Sequence, residues 1–236
     1  MGEVAGEGET RIQSGEQYQE MNGRQRNSIA VLCDFDGTIT IGGVMDLLYK
    51  EFAGPPCWDL VQGWIRGEVT TPQELQGCFA SMKATRGQME ALLDTVRIDP
   101  SFPEFVQFCR RQGYPLAILS DGLEWYIRYI LGRHGILDLP IYANEIRFLP
   151  EGYQISTPWY DPLTPRRGVS KPSIIARYKN MGSKVVFVGD GLSDIEAVSV
   201  ADQVYARDEL LEYCQEKGIP AIGFADMGEL IAKWKA

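Results

Sequence analysis

Long apolar runs are missing from this sequence. No window approaches the roughly 18 consecutive apolar residues of a membrane-spanning helix, and runs such as Val185-Val186-Phe187-Val188 are of strand length. Positive charge is also scarce: 23 Lys and Arg stand against 32 Asp and Glu, a formal net charge of −9. A field of that sign repels phosphate backbones and anionic lipid, so nucleic acid and membrane are both excluded as expected partners. Any site that handles phosphate must then bring its own local cation. There is one histidine, His134, inside a Gly-Arg-His-Gly turn, where it reads as a surface or helix-end residue. The five cysteines (Cys33, Cys57, Cys78, Cys109, Cys214) are odd in number and contain no C-x-x-C pair, so neither a disulfide framework nor a zinc site is expected, and a reducing cytoplasmic compartment fits. The first 27 residues lack an apolar segment and carry Glu3, Glu7, Glu9, Glu16 and Glu20, unlike a secretory signal or a transit peptide. Met1-Gly2 opens like an acylation signal, but Gly6 stands where Ser or Thr is needed.

What remains is ordinary globular composition, 44% hydrophobic and 23% charged over 236 residues, enough for one domain with an insertion. Residues 1–27 read as a disordered tail, because a segment with almost no apolar periodicity cannot offset its ordering entropy. Three short apolar runs follow, at 28–33, 115–119 and 184–188, each in the pattern of a strand buried on both faces. Helical patterns cover about 102–112, 123–133, 171–180, 193–200, 207–217 and 226–235. Strands alternating with helices predict an α/β fold, a Rossmann-like doubly wound parallel sheet with right-handed crossovers. Between the first strand and the next core helix lie four further helical patterns, Met45 to Phe52, Cys57 to Ile65, Pro72 to Ala84 and Gln88 to Thr95. An insertion of that length beside a ligand crevice commonly serves as a lid, so residues 41–97 are read as a helical cap over a catalytic core of 28–40 and 98–236. The stretch 145–158 alternates around Pro150-Glu151-Gly152 and predicts a hairpin.

Each apolar run ends in a polar cluster, at the carboxyl end of a strand, where open α/β sheets bind ligands. Asp34-Phe35-Asp36-Gly37-Thr38 sets two carboxylates two apart, on the same side if the strand geometry continues. Such a pair suits an ionised nucleophile beside a general acid. Gly189-Asp190-Gly191-Leu192-Ser193-Asp194 adds two more carboxylates. Four acids (Asp34, Asp36, Asp190, Asp194) on one sheet edge require a cation, and hard oxygen donors without His or Cys select Mg2+. Ser120-Asp121-Gly122, with Thr38, places hydroxyls and free backbone N–H groups near a helix start, an anion-binding arrangement. Lys171, before Pro172 and Ser173 at another helix start, supplies a cation. The cap residues Met45, Trp58, Trp64, Met82 and Met89 read more readily as packing than as substrate contacts.

The order D-x-D-G-T, strand-ending Ser, Lys, then G-D-G-x-S-D resembles the haloacid dehalogenase-like superfamily of phosphatases, over about Ile29 to the C-terminus. Both Asp motifs would coincide by chance in roughly one sequence in a million. The 41–97 insertion resembles the helical cap of the phosphoserine phosphatase-like branch. Within it, Lys171-Pro172-Ser173-Ile174-Ile175 and Tyr205-Ala206-Arg207-Asp208-Glu209-Leu210 resemble the methionine-salvage phosphatases that act on 2-hydroxy-3-keto-5-methylthiopentenyl-1-phosphate. The resemblance implies a Mg2+-dependent phosphomonoesterase acting on a small phosphorylated metabolite. It implies an aspartyl-phosphate on Asp34, proton transfer by Asp36, phosphate binding by Thr38, Ser120, Asp121, Gly122 and Lys171, and metal held by Asp34, Asp36, Asp190 and Asp194. Phosphoserine phosphatases carry a Glu nine residues after the first Asp; here Gly43 stands there, with Asp46 nearby. Other readings are a phosphatase for phosphoserine, a phosphocholine-like ester or a cofactor phosphate, and a non-catalytic phosphate-ligand-binding module. Nothing in the sequence chooses between monomer and homodimer.

Overall fold

The computed structural model describes residues 28–235; the reading of a disordered tail at 1–27 lies outside them. Seven strands form one sheet: β1 (Ile29–Cys33), β2 (Leu116–Leu123), β3 (Ile141–Leu149), β4 (Gly152–Ser156), β5 (Lys184–Gly189), β6 (Gln203–Ala206) and β7 (Ile222–Gly223), in the order β4-β3-β2-β1-β5-β6-β7. All neighbours are parallel except β3 and β4, the expected hairpin, which pair Glu145 with Ser156 through Leu149 with Gly152. The strand order reverses at β1, whose neighbours are β2 and β5, and this is the doubly wound architecture the alternation predicted.

Burial explains why β1 is central. Val31 and Cys33 belong to the apolar cluster on one face of the sheet, Ala30 and Leu32 to the cluster on the other, and all four are fully buried. The same alternation splits Val186 and Val188 from Val185 and Phe187 in β5. Covering a Leu or Val in this way contributes about 1.5–3 kcal/mol each, and it leaves no polar face on which the strand could be solvated.

Between β1 and β2 lie α1 (Val44–Phe52), α2 (Pro55–Arg66), α3 (Thr71–Ser81), α4 (Arg86–Leu93) and α5 (Phe102–Gln112). Helices α3 and α4 start at capping boxes, Thr70 with Gln73 and Thr85 with Gln88, in which each Thr hydroxyl accepts from the N3 backbone amide. After β2 come α6 (Glu124–Arg133), α7 (Lys171–Asn180), the short α8 (Ile195–Val198), α9 (Asp208–Lys217) and α10 (Met227–Lys235).

Two expectations need correction. Cys57 of α2 and Cys78 of α3 are disulfide-bonded, with Cα atoms 4.5 Å apart, where no disulfide was expected. Their separation of 21 residues carries no signal; the pairing follows from two helices packing side by side. The other three cysteines are free and buried. Strand β2 does not stop at Leu119 but continues through Ser120-Asp121-Gly122 to Leu123, because Leu123 pairs with Asn144 across a shift in register. Strands β6 and β7 are too short, at four and two residues, to show a period of two in the sequence. Met82 and Met89 are core residues, as packing predicts, whereas Trp58 is 41% exposed. His134 caps the C-terminal end of α6.

Candidate active site

The carboxyl ends of β1, β2 and β5 converge. The amide of Asp34 donates to the Val188 carbonyl at 2.9 Å, which fixes the end of β1 against β5. The chain then turns within a few residues: the Ile39 amide donates to the Phe35 carbonyl, and Thr40 Oγ1 accepts from the Gly37 amide. Gly37 sits at φ +80°, and a Cβ there would collide with the Asp190 carboxylate, so the turn tolerates only glycine.

Asp34 is 3% exposed, and one of its carboxylate oxygens accepts from Lys171 Nζ at 2.7 Å. Lys171, 1% exposed, donates at 2.5 Å to Asp194 as well. Burial pulls the Lys171 ammonium down, but Asp194 and Asp34 together hold it above the ordinary lysine range. This cation is locked in place and charged. Asp194 turns its other oxygen to the amides of Asp190 and Gly191, at 3.0 and 3.3 Å. Asp190 accepts from Thr38 Oγ1 at 2.5 Å, and burial, then Asp194, pushes its carboxyl up to about 7. Burial, and next Asp194, also drives Asp34 well up from the ordinary carboxylate range.

Asp34, Asp190 and Asp194 each offer a carboxylate oxygen within 4.8 Å of the others. One lysine cannot neutralise three carboxylates, and a set of hard oxygens with no nitrogen or sulfur donor fits a small divalent cation such as magnesium. Burial first and the neighbouring Asp194 second raise two of these groups, and a bound cation would offset both by favouring the ionised form.

Asp36 is tied differently. The Val44 amide at the start of α1 donates to one oxygen at 2.6 Å, and the Tyr126 hydroxyl donates to the other. Burial outweighs both bonds and pushes the Asp36 carboxyl up to about 6, close to what proton transfer at neutral pH requires. Ser120 is 1% exposed and its hydroxyl accepts from the Gly122 amide at 3.0 Å. A side chain at Gly122 would collide with the Tyr126 hydroxyl and the Asp36 carboxylate.

Asp121 has a role the sequence did not suggest. Its two oxygens accept from the Val169 amide at 2.8 Å and from Thr71 Oγ1 at 3.0 Å, so its side chain ties α3 and the segment before α7 to the end of β2. Thr38 is likewise committed to Asp190. Sequence reasoning missed Tyr126, Asn144, whose amide donates to the Asp121 carbonyl at 2.6 Å, and Arg207, which donates to the Gly37 carbonyl. Tyr126 lies on the first turn of α6, the helix that follows the Ser120-Asp121-Gly122 cluster, and its place there is the only local signal; the other two have none. The insertion lies against the site through Val44 and Thr71, while a cavity of about 390 Å³ opens beside α1, lined by Gly43, Asp46, Lys50 and Arg97.

The sequence matches a family model described as haloacid dehalogenase-like hydrolase over residues 31–199. Among curated proteins it is 32% identical over 209 residues to the 2-hydroxy-3-keto-5-methylthiopentenyl-1-phosphate phosphatase of Geobacillus kaustophilus, covering 86% of this chain and 94% of the relative. It is 31% identical over 208 residues to the protein of the same name from Brevibacillus brevis, covering 86% and 93%. A solved structure titled as a phospho-aspartyl intermediate analogue of phosphoserine phosphatase superposes with a TM-score of 0.66 at 20% identity, over 89% of this chain and 99% of that one.

Proposed function

The chain belongs to the haloacid dehalogenase-like hydrolases, and from that premise we propose that it is a magnesium-dependent phosphatase of a small metabolite, 2-hydroxy-3-keto-5-methylthiopentenyl-1-phosphate in the first instance. The observation that carries this reading is the juxtaposition of Asp34, Asp36, Lys171, Asp190 and Asp194 at one sheet edge. A phosphate-binding module would need the lysine and the amides; it has no use for a second, independently tuned acid at Asp36.

Asp34 attacks phosphorus in line and the P–O bond to the leaving group breaks, giving an aspartyl-phosphate. Asp36 gives its proton to the departing oxygen, then takes one from the water that attacks phosphorus and frees Asp34. Lys171 holds a phosphoryl oxygen, joined by the Ser120 hydroxyl and the backbone near Gly122. Asp34, Asp190 and the backbone carbonyl of Asp36 would hold magnesium, with Asp194 orienting that set; bound there, the ion neutralises charge on the phosphoryl group. Residues 41–97 act as a cap that closes over the organic part of the ester and excludes water. Phosphorylated intermediates of metabolism are cytoplasmic, and we place the enzyme with them; the Cys57–Cys78 bond would there be subject to reduction.

One finding favours the methionine-salvage ester over phosphoserine: the curated relatives act, by name, on the former. Gly43 stands where the resemblance places an acidic residue in both groups of enzymes, and an Asp46 oxygen lies 3.0 Å from where a Cβ on Gly43 would stand. The test is phosphate release, with and without magnesium, from that ester, phosphoserine, phosphocholine and a generic aryl phosphate. Magnesium-dependent turnover with the methionine-salvage ester far ahead is expected; equal rates on all would remove the substrate assignment, and silence on all would favour the binding module.

The raised carboxyls also set a pH dependence opposite in sign to that of ordinary ion-paired acids. Unfolded carboxyls release their protons near pH 4, whereas Asp36 and Asp190 hold theirs to about 6 and 7 in the folded, metal-free protein. The folded state therefore binds more protons across that interval, and stability falls as pH rises from about 4 to 7. Melting temperatures at pH 5, 6, 7 and 8 should decline without magnesium and decline less with it. A metal-free profile that is flat, or that rises, would contradict the raised Asp36 and Asp190 carboxyls.

A further inference from the structure

Thr71, the first residue of α3, joins the insertion to the core through its side chain. The residue is buried, and its hydroxyl accepts from the Trp64 indole N–H of α2 at 3.0 Å while donating to Asp121 Oδ2 at 3.0 Å. A hydroxyl has one proton to give, and with the indole already on the oxygen that proton goes to Asp121. Asp121 is then held on three sides: by Thr71 at one carboxylate oxygen, by the Val169 amide at the other (2.8 Å), and by the Asn144 side chain at its backbone carbonyl (2.6 Å). Its chain neighbours Ser120 and Gly122 supply the hydroxyl and the backbone assigned to the phosphoryl group, and Val169 stands two residues before Lys171. One carboxylate therefore spaces the two halves of the phosphate clamp, and one of its oxygens is in the grip of the insertion.

A second set of contacts repeats the connection. The Thr71 amide donates to the Arg166 carbonyl at 2.8 Å, the Arg166 guanidinium donates to the Trp64 carbonyl at 2.9 Å, and the Arg167 guanidinium lies over the Trp64 ring, 5.5 Å from its centre. Arg167 is buried and is fixed from the core side by Glu196 and by the Leu192 carbonyl. Residues 166–169 are thus clasped between insertion and core just before Lys171. Behind Trp64, helix α2 buries little beyond Cys57 and Gly63, and the Cys57–Cys78 bond fastens it to α3.

Resting on the phosphatase reading above, we propose that Thr71 is a positioning residue: seated by Trp64, it sets Asp121 so that the Ser120–Gly122 loop and Lys171 grip the phosphoryl group together only while the insertion is docked. The insertion then has a task besides covering the organic part of the ester, since its docking completes the phosphate clamp from behind without touching substrate. Because Thr71 acts on the phosphoryl side, its effect is the same for every ester, whatever the organic part. By linkage, a bound phosphoryl group favours the docked insertion by the factor through which docking favours the phosphoryl group.

The experiment measures, with magnesium present, the inhibition constant of orthovanadate and kcat/KM on an aryl phosphate, phosphoserine and dihydroxyacetone phosphate in wild type, Thr71→Val, Thr71→Ser and Trp64→Phe. Val keeps the branched shape of Thr without the hydroxyl, Ser keeps the hydroxyl, and Phe keeps a ring beneath Arg167 without the N–H. Thr71→Val should raise the orthovanadate constant about tenfold or more, the order lost with a hydrogen bond to a charged group, and should lower kcat/KM by one common factor on every ester that wild type hydrolyses. Thr71→Ser should recover most of both losses, and Trp64→Phe should fall between wild type and Thr71→Val. An unchanged orthovanadate constant in Thr71→Val overturns the proposal. So does a loss that differs from ester to ester, which would make Thr71 a contact to the organic part, and so does a Thr71→Ser variant as impaired as Thr71→Val, which would make the effect one of shape. If Thr71→Val does not fold, Trp64→Phe decides: a raised constant supports the relay and an unchanged one overturns it. Wild type that hydrolyses no ester and is not bound by orthovanadate would end the phosphatase reading and this role with it, whereas active wild type with an equally active Thr71→Val ends this role alone.

Discussion

Asp34→Asn should leave a folded protein whose phosphatase turnover has dropped at least about 10⁴-fold, since a hydrolase that loses its nucleophile can fall by about 10⁶-fold. The amide nitrogen cannot attack phosphorus, so no aspartyl-phosphate forms and the remaining groups have nothing to protonate or hold. The fold survives because the amide oxygen can still accept from Lys171, and because a buried carboxylate whose ionisation burial and Asp194 oppose is replaced by a neutral amide. Mass spectrometry of acid-quenched turnover provides the second readout: wild type carries an added phosphoryl group, the variant none. A variant that retained near-normal rates would sink the assignment of Asp34, whatever the other residues do.

Lys171→Met is expected to strike stability as well as catalysis. The lysine is 1% exposed and spans Asp34 and Asp194, which are 3% and 0% exposed. Removing one partner of a buried ion pair leaves uncompensated charge, a loss of about 3–5 kcal/mol, whereas the apolar stem of Met still fills the space beside Phe187. The loss should be greatest in metal-free protein at neutral pH. It should shrink as pH falls and the carboxyls take up protons, and again when magnesium is added. Loss of a positive charge aimed at the phosphoryl group should cost a further 10²–10³-fold or so in kcat. Urea denaturation at pH 7.5 and pH 5.5, with and without magnesium, separates the two effects. Equal stability of variant and wild type in metal-free buffer at pH 7.5 would mean that the acids are already neutral there, and the electrostatic account of the site would have to be abandoned.

These two residues mark how much of the site can be read from the chain alone. Asp34 stands at the end of an apolar run with a glycine turn behind it, and strand ends of an open parallel sheet gather at one edge whatever the loops do. Asp190 is legible for the same reason, since it directly follows β5, and Asp194 and Ser120 are legible as members of the polar clusters in which the apolar runs end. Lys171 is legible only through the order of motifs: nothing local distinguishes it from a surface lysine, and its contact with Asp34 joins residues 137 apart. Asp121 and Thr38 were expected on the phosphate, yet their side chains hold the frame together, Asp121 by joining the insertion to β2 and Thr38 by holding Asp190.

The amino-acid sequence by itself determined the alternation of strands and helices, the insertion after β1 and the edge on which the acids meet, because those follow from short-range periodicity and from the handedness of parallel crossovers. Only the tertiary structure decided which acid is paired and which is poised near neutrality. Tyr126 on Asp36, Arg207 on the Gly37 carbonyl and the Cys57–Cys78 bond each depend on how two separate elements pack. Packing sets burial and distance, and burial and distance set the charge state of a carboxyl. Residue spacing along the chain contains neither.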